Sequence, residues 1–367
     1  MFAQKESSRI SRTLVVVGTF VAIGVTSGCA GWFKSHSSNS TEFAYVATGL
    51  GVSEYKILSN GQLDPIPPGP PVPINAVAIV TTKDNKFAYT ANKNEGTVSQ
   101  LSIGTDGHLS DVAAPVSSGT GTLAVAVTPD SKYVYALNAG DGTISEFSAA
   151  ADGTLTPLST ATIPVAPDGD GLTITPNGNY LYATSYTSNK ISAYSIGADG
   201  QLAALTVATY DATNPSQAAV SPDGTHLYVP LSADGVGQYS IGSDGALTPL
   251  SPPTVATVGL GNDAVAVTPD GHYCYVGVFN GGNPGSPVAE FSVGAGGGLT
   301  ALDPSFVTAG NAPYFIAIDP TGRFAYVANS NDGTVSEYAA RFDGQLISLT
   351  PAGVDTSGAF QIAFATK

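Results

Sequence analysis

The chain has 367 residues and a formal net charge of −15, with charged residues at only 11% against 43 Gly and 25 Pro. So acidic a surface repels phosphate backbones and excludes a nucleic-acid partner. So few charges among so many turn formers exclude the Lys/Glu-rich surface of a helical protein and point to many short strands joined by turns. The two cysteines, Cys29 and Cys274, make no disulfide framework. No phosphate loop, nucleophile elbow or metal-ligand spacing is present, so neither cofactor nor metal is expected.

The N-terminus reads as a targeting segment. Lys5, Arg9 and Arg12 precede an apolar run over residues 14–25, and Thr26-Ser27-Gly28 leads into Cys29. A charged start, a short apolar run and a small-residue exit describe a secretory signal over residues 1–28. The run falls short of the roughly 20 apolar residues that span a bilayer. A cysteine directly after Gly28 makes the segment resemble a bacterial lipoprotein signal, in which that cysteine becomes the lipidated first residue. Thr26 departs from the Leu that such signals favour three positions before the cysteine. The resemblance implies an exported protein, lipid-anchored at Cys29 in the cell envelope, with no other contact with the membrane. Residues 29–42 follow as a flexible tether, and His36 within it is a linker residue.

Seven aromatic-rich pairs then recur: Phe43-Ala44-Tyr45, Phe87-Ala88-Tyr89, Tyr133-Val134-Tyr135, Tyr180-Leu181-Tyr182, His226-Leu227-Tyr228, Tyr273-Cys274-Tyr275 and Phe324-Ala325-Tyr326. Spacings of 44, 46, 47, 46, 47 and 51 residues are the period of a propeller. The expected fold is all-β: one seven-bladed β-propeller over residues 43–367, each blade a four-stranded antiparallel sheet. In the copy around Tyr133, an apolar run at 123–127 precedes the turn Thr128-Pro129-Asp130-Ser131. A second strand starts at Tyr133, a third at Thr143 after Asp141-Gly142, and a fourth at Leu155 after Asp152-Gly153. The last turn recurs as Asn60-Gly61, Asp106-Gly107, Asp199-Gly200, Asp244-Gly245 and Asp343-Gly344, with Gly296-Gly297 in the remaining copy. These pairs suit the positive φ of a two-residue hairpin, and one carboxylate per turn cannot furnish calcium's six to eight oxygens.

The third strands repeat a polar residue: Glu54, Gln100, Glu146, Gln238, Glu290 and Glu337. Lying away from the axis, this ring is expected to serve hydrogen bonding between sheets or to be solvated. Cys274 reads as a small core residue. The first copy begins at its second strand, and the chain ends on Gln361-Ile362-Ala363-Phe364, a lone first strand. The two ends are therefore expected to share one sheet, a three-plus-one clasp that leaves no loose edge.

First-to-second and third-to-fourth turns should lie on one face, short and uniform. The other two sets should be longer and variable, among them the proline loop from Pro65 to Pro73, which reads as a stiff connection, and stretches at 166–171, 210–215 and 279–286. Function is expected on that face, over the channel. Ten residues before each anchor aromatic lie Val77, Leu123, Asp170, Ser216, Asp263 and Tyr314, with Phe360 in the closing blade. Asn75, Asp168, Gln217 and Asn262 sit beside them. Carboxylates, amides and aromatics together suit a neutral, sugar-like ligand.

Thr-Pro-Asp-Gly, aromatic-x-Tyr-Val-x-Asn, Gly-Thr-Val-Ser-x-Tyr and Asp-Gly-x-Leu, clearest at 326–329 and 332–336, resemble the lactonase-type seven-bladed propellers. That family includes 6-phosphogluconolactonases, muconate cycloisomerases and surface proteins of Tyr-Val-Thr-Asn repeats. Its enzymes carry basic and imidazole groups at the mouth, often as Pro-Arg-His. Here the corresponding stretch is Pro215-Ser216-Gln217, and a second Pro-Arg becomes Pro313-Tyr314. No Arg, Lys or His is expected at the mouth, so nothing is expected to hold a phosphate. The sequence alone thus favours a monomeric, envelope-anchored propeller that binds a small molecule, a carbohydrate-like ligand or an envelope protein. The alternative is a lactone hydrolase or cycloisomerase with Asp170 or Asp263 as base. A titratable pair at the mouth would distinguish the enzyme from the binding module.

Overall fold

The computed structural model describes residues 40–67, 75–259, 261–281, 285–356 and 358–367. The signal segment, Cys29, nearly all of the tether with His36, and residues 68–74 of the proline loop lie outside the described residues.

Burial grades across each repeat. In the Tyr133 copy, the second strand Tyr133–Asn138 is buried beyond its first residue, while the fourth, Leu155–Pro164, is largely exposed. Apolar runs without polar alternation end up sandwiched between neighbouring sheets, and mixed runs form the rim. Blade 1 holds Glu42–Ala47, Val52–Ile57 and Leu63–Pro65 together with the C-terminal Gln361–Thr366. Blades 2 to 7 begin with Ala76–Thr81, Thr122–Val127, Gly169–Ile174, Ala219–Val220, Asn262–Val267 and Pro313–Ile318. Every blade is a four-stranded antiparallel sheet, in chain order except in blade 1, where the C-terminal strand comes first. The seven first strands pack side by side in a closed ring. The clasp is present: Glu42 lies opposite Thr366 and Ala47 opposite Gln361.

The repeated sequence signals prove to be joints between blades. Each anchor Tyr hydroxyl donates to the carbonyl of the hairpin glycine in the next blade, as from Tyr135 to Gly200 at 2.6 Å. The same bond runs from Tyr45 to Gly107, Tyr89 to Gly153, Tyr182 to Gly245, Tyr228 to Gly297 and Tyr275 to Gly344, and Tyr326 returns to Gly61. The aromatic two residues earlier covers that same glycine. At Gly200, with φ +81°, an added Cβ would lie 2.1 Å from the Tyr133 ring. Turn geometry and close packing both demand glycine there.

The polar ring of the third strands completes the joint. Glu54, Gln100, Glu146, Gln238, Glu290 and Glu337 accept the backbone N–H of Leu109, Leu155, Leu202, Leu299, Leu346 and Leu63, each in the following blade. In blade 4 the position is Ala193, and the Leu247 N–H donates instead to the Tyr210 hydroxyl at 2.9 Å.

Two expectations about loops need correction. The second-to-third turns are not long: 48–51, 93–96, 139–142, 186–189 and 330–333 have four residues each, and only 279–286 is extended. The Asn that ends several second strands closes the turn, as Asn138 does by donating to Thr143 Oγ1 at 3.1 Å. Variability resides instead in the fourth-to-first connections. Gly169-Asp170-Gly171 and Tyr210-Asp211, expected in loops, belong to strands. Cys274 is fully buried, and burial pushes its thiol up.

Candidate active site at the channel mouth

Five of the seven first strands open with one residue bulged out of the ladder. Pairing skips Val77, Leu123, Asp170, Asp263 and Tyr314 in blades 2, 3, 4, 6 and 7. A bulge re-aims a side chain without ending the strand. In blade 5, Ser216 follows the isolated bridge between Pro215 and Leu231, and its N–H donates to the Pro230 carbonyl at 3.0 Å. In blade 1, Phe360 precedes the closing strand, and its N–H donates to the Ala47 carbonyl at 2.9 Å. In blade order the entries of the first strands therefore carry Phe360, Val77, Leu123, Asp170, Ser216, Asp263 and Tyr314. Blades 4 to 6 form a polar arc, and the remaining four an aromatic and aliphatic one.

The polar arc is electrostatically coupled. Burial pushes Asp170 up to about 6, opposed by the Lys93 charge and by the Ser216 side chain. Burial, and then the Asp170 charge, push Asp263 up to about 7. Tyr314 is raised by burial first, then by Asp170 and Asp263, so its phenol stays protonated. On its other side the Tyr314 ring meets Phe360 edge-on, with centroids 5.9 Å apart at 89°.

The other predicted site residues flank these positions in the chain. Asp168 is exposed, at φ +57°, and accepts a hydrogen bond from the Thr187 hydroxyl, so it locks a connection to a turn. Asn75 donates to Glu95. Gln217 is half-buried, and its Cα lies against Gly171, where an added Cβ would stand 2.8 Å away. Asn262 opens its strand opposite Val278, and its side chain lies outside those described. Sequence reasoning missed Lys93. It counted only first-strand starts, whereas the charge of Lys93, in the second-to-third turn 93–96 of blade 2, acts on Asp170. Its place directly after the anchor motif Phe87-Ala88-Tyr89-Thr90-Ala91-Asn92 was the available signal.

Two raised carboxylates can share one proton near neutrality, one serving as base while the other donates. The tyrosine and serine hydroxyls can stabilise an oxyanion. Among the described residues, no three His, Cys, Asp or Glu side chains could hold a metal ion, and no helix is long and apolar enough to cross a membrane.

A closed wheel of seven four-stranded antiparallel blades defines a seven-bladed β-propeller. The sequence matches the family described as Lactonase, 7-bladed beta-propeller over residues 38–170, 115–256 and 232–359, and the chain belongs to that family. Among solved structures it is similar to a putative 6-phosphogluconolactonase from Bacteroides fragilis, at 21% identity and a TM-score of 0.78 over 90% of this chain and 100% of that one. A putative 6-phosphogluconolactonase from Bacteroides uniformis gives 20% and 0.75 over 89% and 100%. The periplasmic gluconolactonase of Pseudomonas aeruginosa gives 20% and 0.74 over 89% and 99%. At such identities the likeness is one of fold. No curated protein matches the chain.

Proposed function

We propose that this protein hydrolyses an uncharged sugar lactone at the channel mouth. The observation that carries the reading is the coupled pair Asp170 and Asp263, raised to about 6 and about 7 beside the protonated Tyr314. A carboxylate of that pKa removes a proton from water near neutral pH far better than an ordinary aspartate paired with a cation. The polar arc accepts hydroxyls and the developing oxyanion. The aromatic arc receives the apolar face of a pyranose or furanose ring. The activities named for the similar structures, on gluconolactone and 6-phosphogluconolactone, support the same reaction class. A phosphorylated lactone fits less well, because two carboxylates and a single lysine repel a dianion.

The test is hydrolysis of neutral and phosphorylated sugar lactones by the fragment from Ser35 onward. Turnover of a neutral lactone, reduced at least 100-fold in Asp170→Asn, is expected; a rate unchanged by that substitution rejects the reading. The edge-on Tyr314–Phe360 pair also suits simple carbohydrate binding. In that case Asp170→Asn would leave affinity unaffected and no lactone would turn over.

We also propose that the protein is exported and held in the envelope by a lipid on Cys29. The charged start, apolar run and Gly28-Cys29 junction support this. Two or more acyl chains at about 0.8 kcal/mol per buried CH₂ suffice for stable anchoring. Cys29→Ser should shift the protein from the membrane fraction to the soluble one, and unchanged retention would discredit lipidation.

A further inference from the structure

The chain enters the wheel on the face opposite the first-strand entries. Glu42–Ala47 is the second strand of blade 1, and second strands run from the face of the first-to-second turns toward the face of the first-strand entries, the mouth face. Thr41 is fixed at the foot of that strand. Its N–H donates to the Lys367 carbonyl, and the Lys367 N–H donates to the Thr41 carbonyl, both at 2.8 Å. The two faces also differ in charge. Among the described residues, the turns of the mouth face hold Glu95, Asp141, Asp168, Asp234 and Asp332 against Lys93 alone. The turns of the opposite face hold Lys83, Lys86, Lys132, Arg323 and Arg341, with Lys367 at the clasp. All six belong to blades 7, 1, 2 and 3, the sector centred on the clasp, and blades 4 to 6 hold none in these turns. They offset the carboxylates of the same turns, as Lys86 does for Asp84 at 3.2 Å and Arg341 for Asp343 at 2.8 Å.

We propose that the clasp sector of the short-turn face lies against an anionic lipid surface, and that the mouth face points away from it into water. The proposal rests on the reading of Cys29 as the lipidated residue and adds the orientation that the fold imposes on it. Thr41 lies twelve residues after Cys29. Such a tether reaches about 40 Å when fully drawn out and spans about 20 Å on average. To bring the mouth face onto the bilayer, it would have to cross the two outer strands of a blade, about 10 Å, and then the depth of a six-residue strand, about 20 Å. The turns of both faces add to that path. The inverted orientation therefore consumes nearly the whole reach and the conformational entropy that goes with it, whereas the proposed one leaves the tether slack. Charge acts in the same direction. Anionic headgroups repel the acidic turns of the mouth face and tolerate the balanced turns of the clasp sector. A ligand for the mouth thus arrives from the aqueous side, and the lipid does not cover the channel.

The test uses the full chain, isolated from membranes and returned to vesicles of phosphatidylethanolamine and phosphatidylglycerol. Thr105→Cys and Asn94→Cys place one thiol each on opposite faces of blade 2, at exposed positions in the hairpin 104–108 and the turn 93–96. Cys274 is fully buried and does not compete for a maleimide dye. Each labelled protein is then read for quenching by a lipid that carries a nitroxide on its headgroup. The two dyes differ in height by the depth of the wheel, about 20 Å or more. Quenching at position 105 should exceed that at position 94 at least twofold, and the excess should grow as phosphatidylglycerol replaces phosphatidylcholine. Equal quenching, or stronger quenching at position 94, overturns the orientation while the anchor stands. An excess at position 105 that phosphatidylglycerol abolishes overturns the charge preference. A chain found in the soluble fraction before any labelling rejects the lipid anchor, and the orientation falls with it.

Discussion

At the residue scale, the ring of third-strand carboxylates shows how one side-chain choice sets a pH response. Glu146, Glu290 and Glu337 are pushed up to about 7, burial outweighing the backbone N–H each accepts. A folded-state value above the unfolded one means that the fold prefers the protonated form. The stability these groups contribute is complete below about 4.5 and is lost as pH rises through about 7. Gln100 and Gln238 fill the same position without that dependence. Glu290→Gln is therefore expected to raise the melting temperature at pH 8 and to flatten its slope between pH 4.5 and 7. A mutant-minus-wild-type difference that is constant across this range would refute the assignment. The recurrence of these residues was legible in the sequence. Their partners were not, because Leu346 is 56 positions from Glu290 and nothing local relates the two. Lys93 was hidden for the same reason: it acts on Asp170 across two blade boundaries.

At the element scale, the Asp-Gly hairpin reads locally as turn chemistry, and the structure adds a second role. The second-strand tyrosine of one blade and the glycine that turns the next form a single joint, repeated around the wheel. Tyr135→Phe removes the bond to Gly200 and should cost about 1 kcal/mol, the ordinary net worth of a buried hydrogen bond. Gly200→Ala should cost about 3 kcal/mol or more, since it strains a positive φ and drives a methyl into the Tyr133 ring. Chemical denaturation of both variants checks the ranking. If Gly200→Ala were the milder of the two, the packing role of this glycine would be refuted. The strand bulges belong to this scale as well. The ten-residue offset from each anchor marks the bulged positions, because the second strand pairs with its first in nearly the same register. The short second-to-third turns were misjudged, because their closure depends on an Asn side chain crossing to the third strand.

At the scale of the whole molecule, closure is the decisive contact. The joint from blade 7 to blade 1 repeats the others, with Tyr326 bonded to Gly61 and Leu63 to Glu337, and the last strand fills the inner edge of blade 1. Truncation before Gln361 would expose the edge of Glu42–Ala47, a template for pairing with other chains. The truncated protein is expected to lose cooperative unfolding and to aggregate during size-exclusion chromatography. A soluble monomer with an unchanged melting temperature would show that the clasp is dispensable. A permutant that joins the native ends and opens the 118–121 connection should unfold cooperatively, because the new ends fall between blades.

The sequence by itself determined the number of blades, their strand order, the clasp and the offset that marks the first-strand bulges, because each of these follows from a local period and from where that period starts and stops. Only the tertiary structure decided which mouth residues act together. Asp170, Ser216, Asp263 and Tyr314 come from four different blades, and Lys93 from a fifth. Burial, joined at Asp263 by the Asp170 charge, rather than any motif, raises the two carboxylates. Such effects depend on distance in space and on the removal of water, and a linear order of residues records neither.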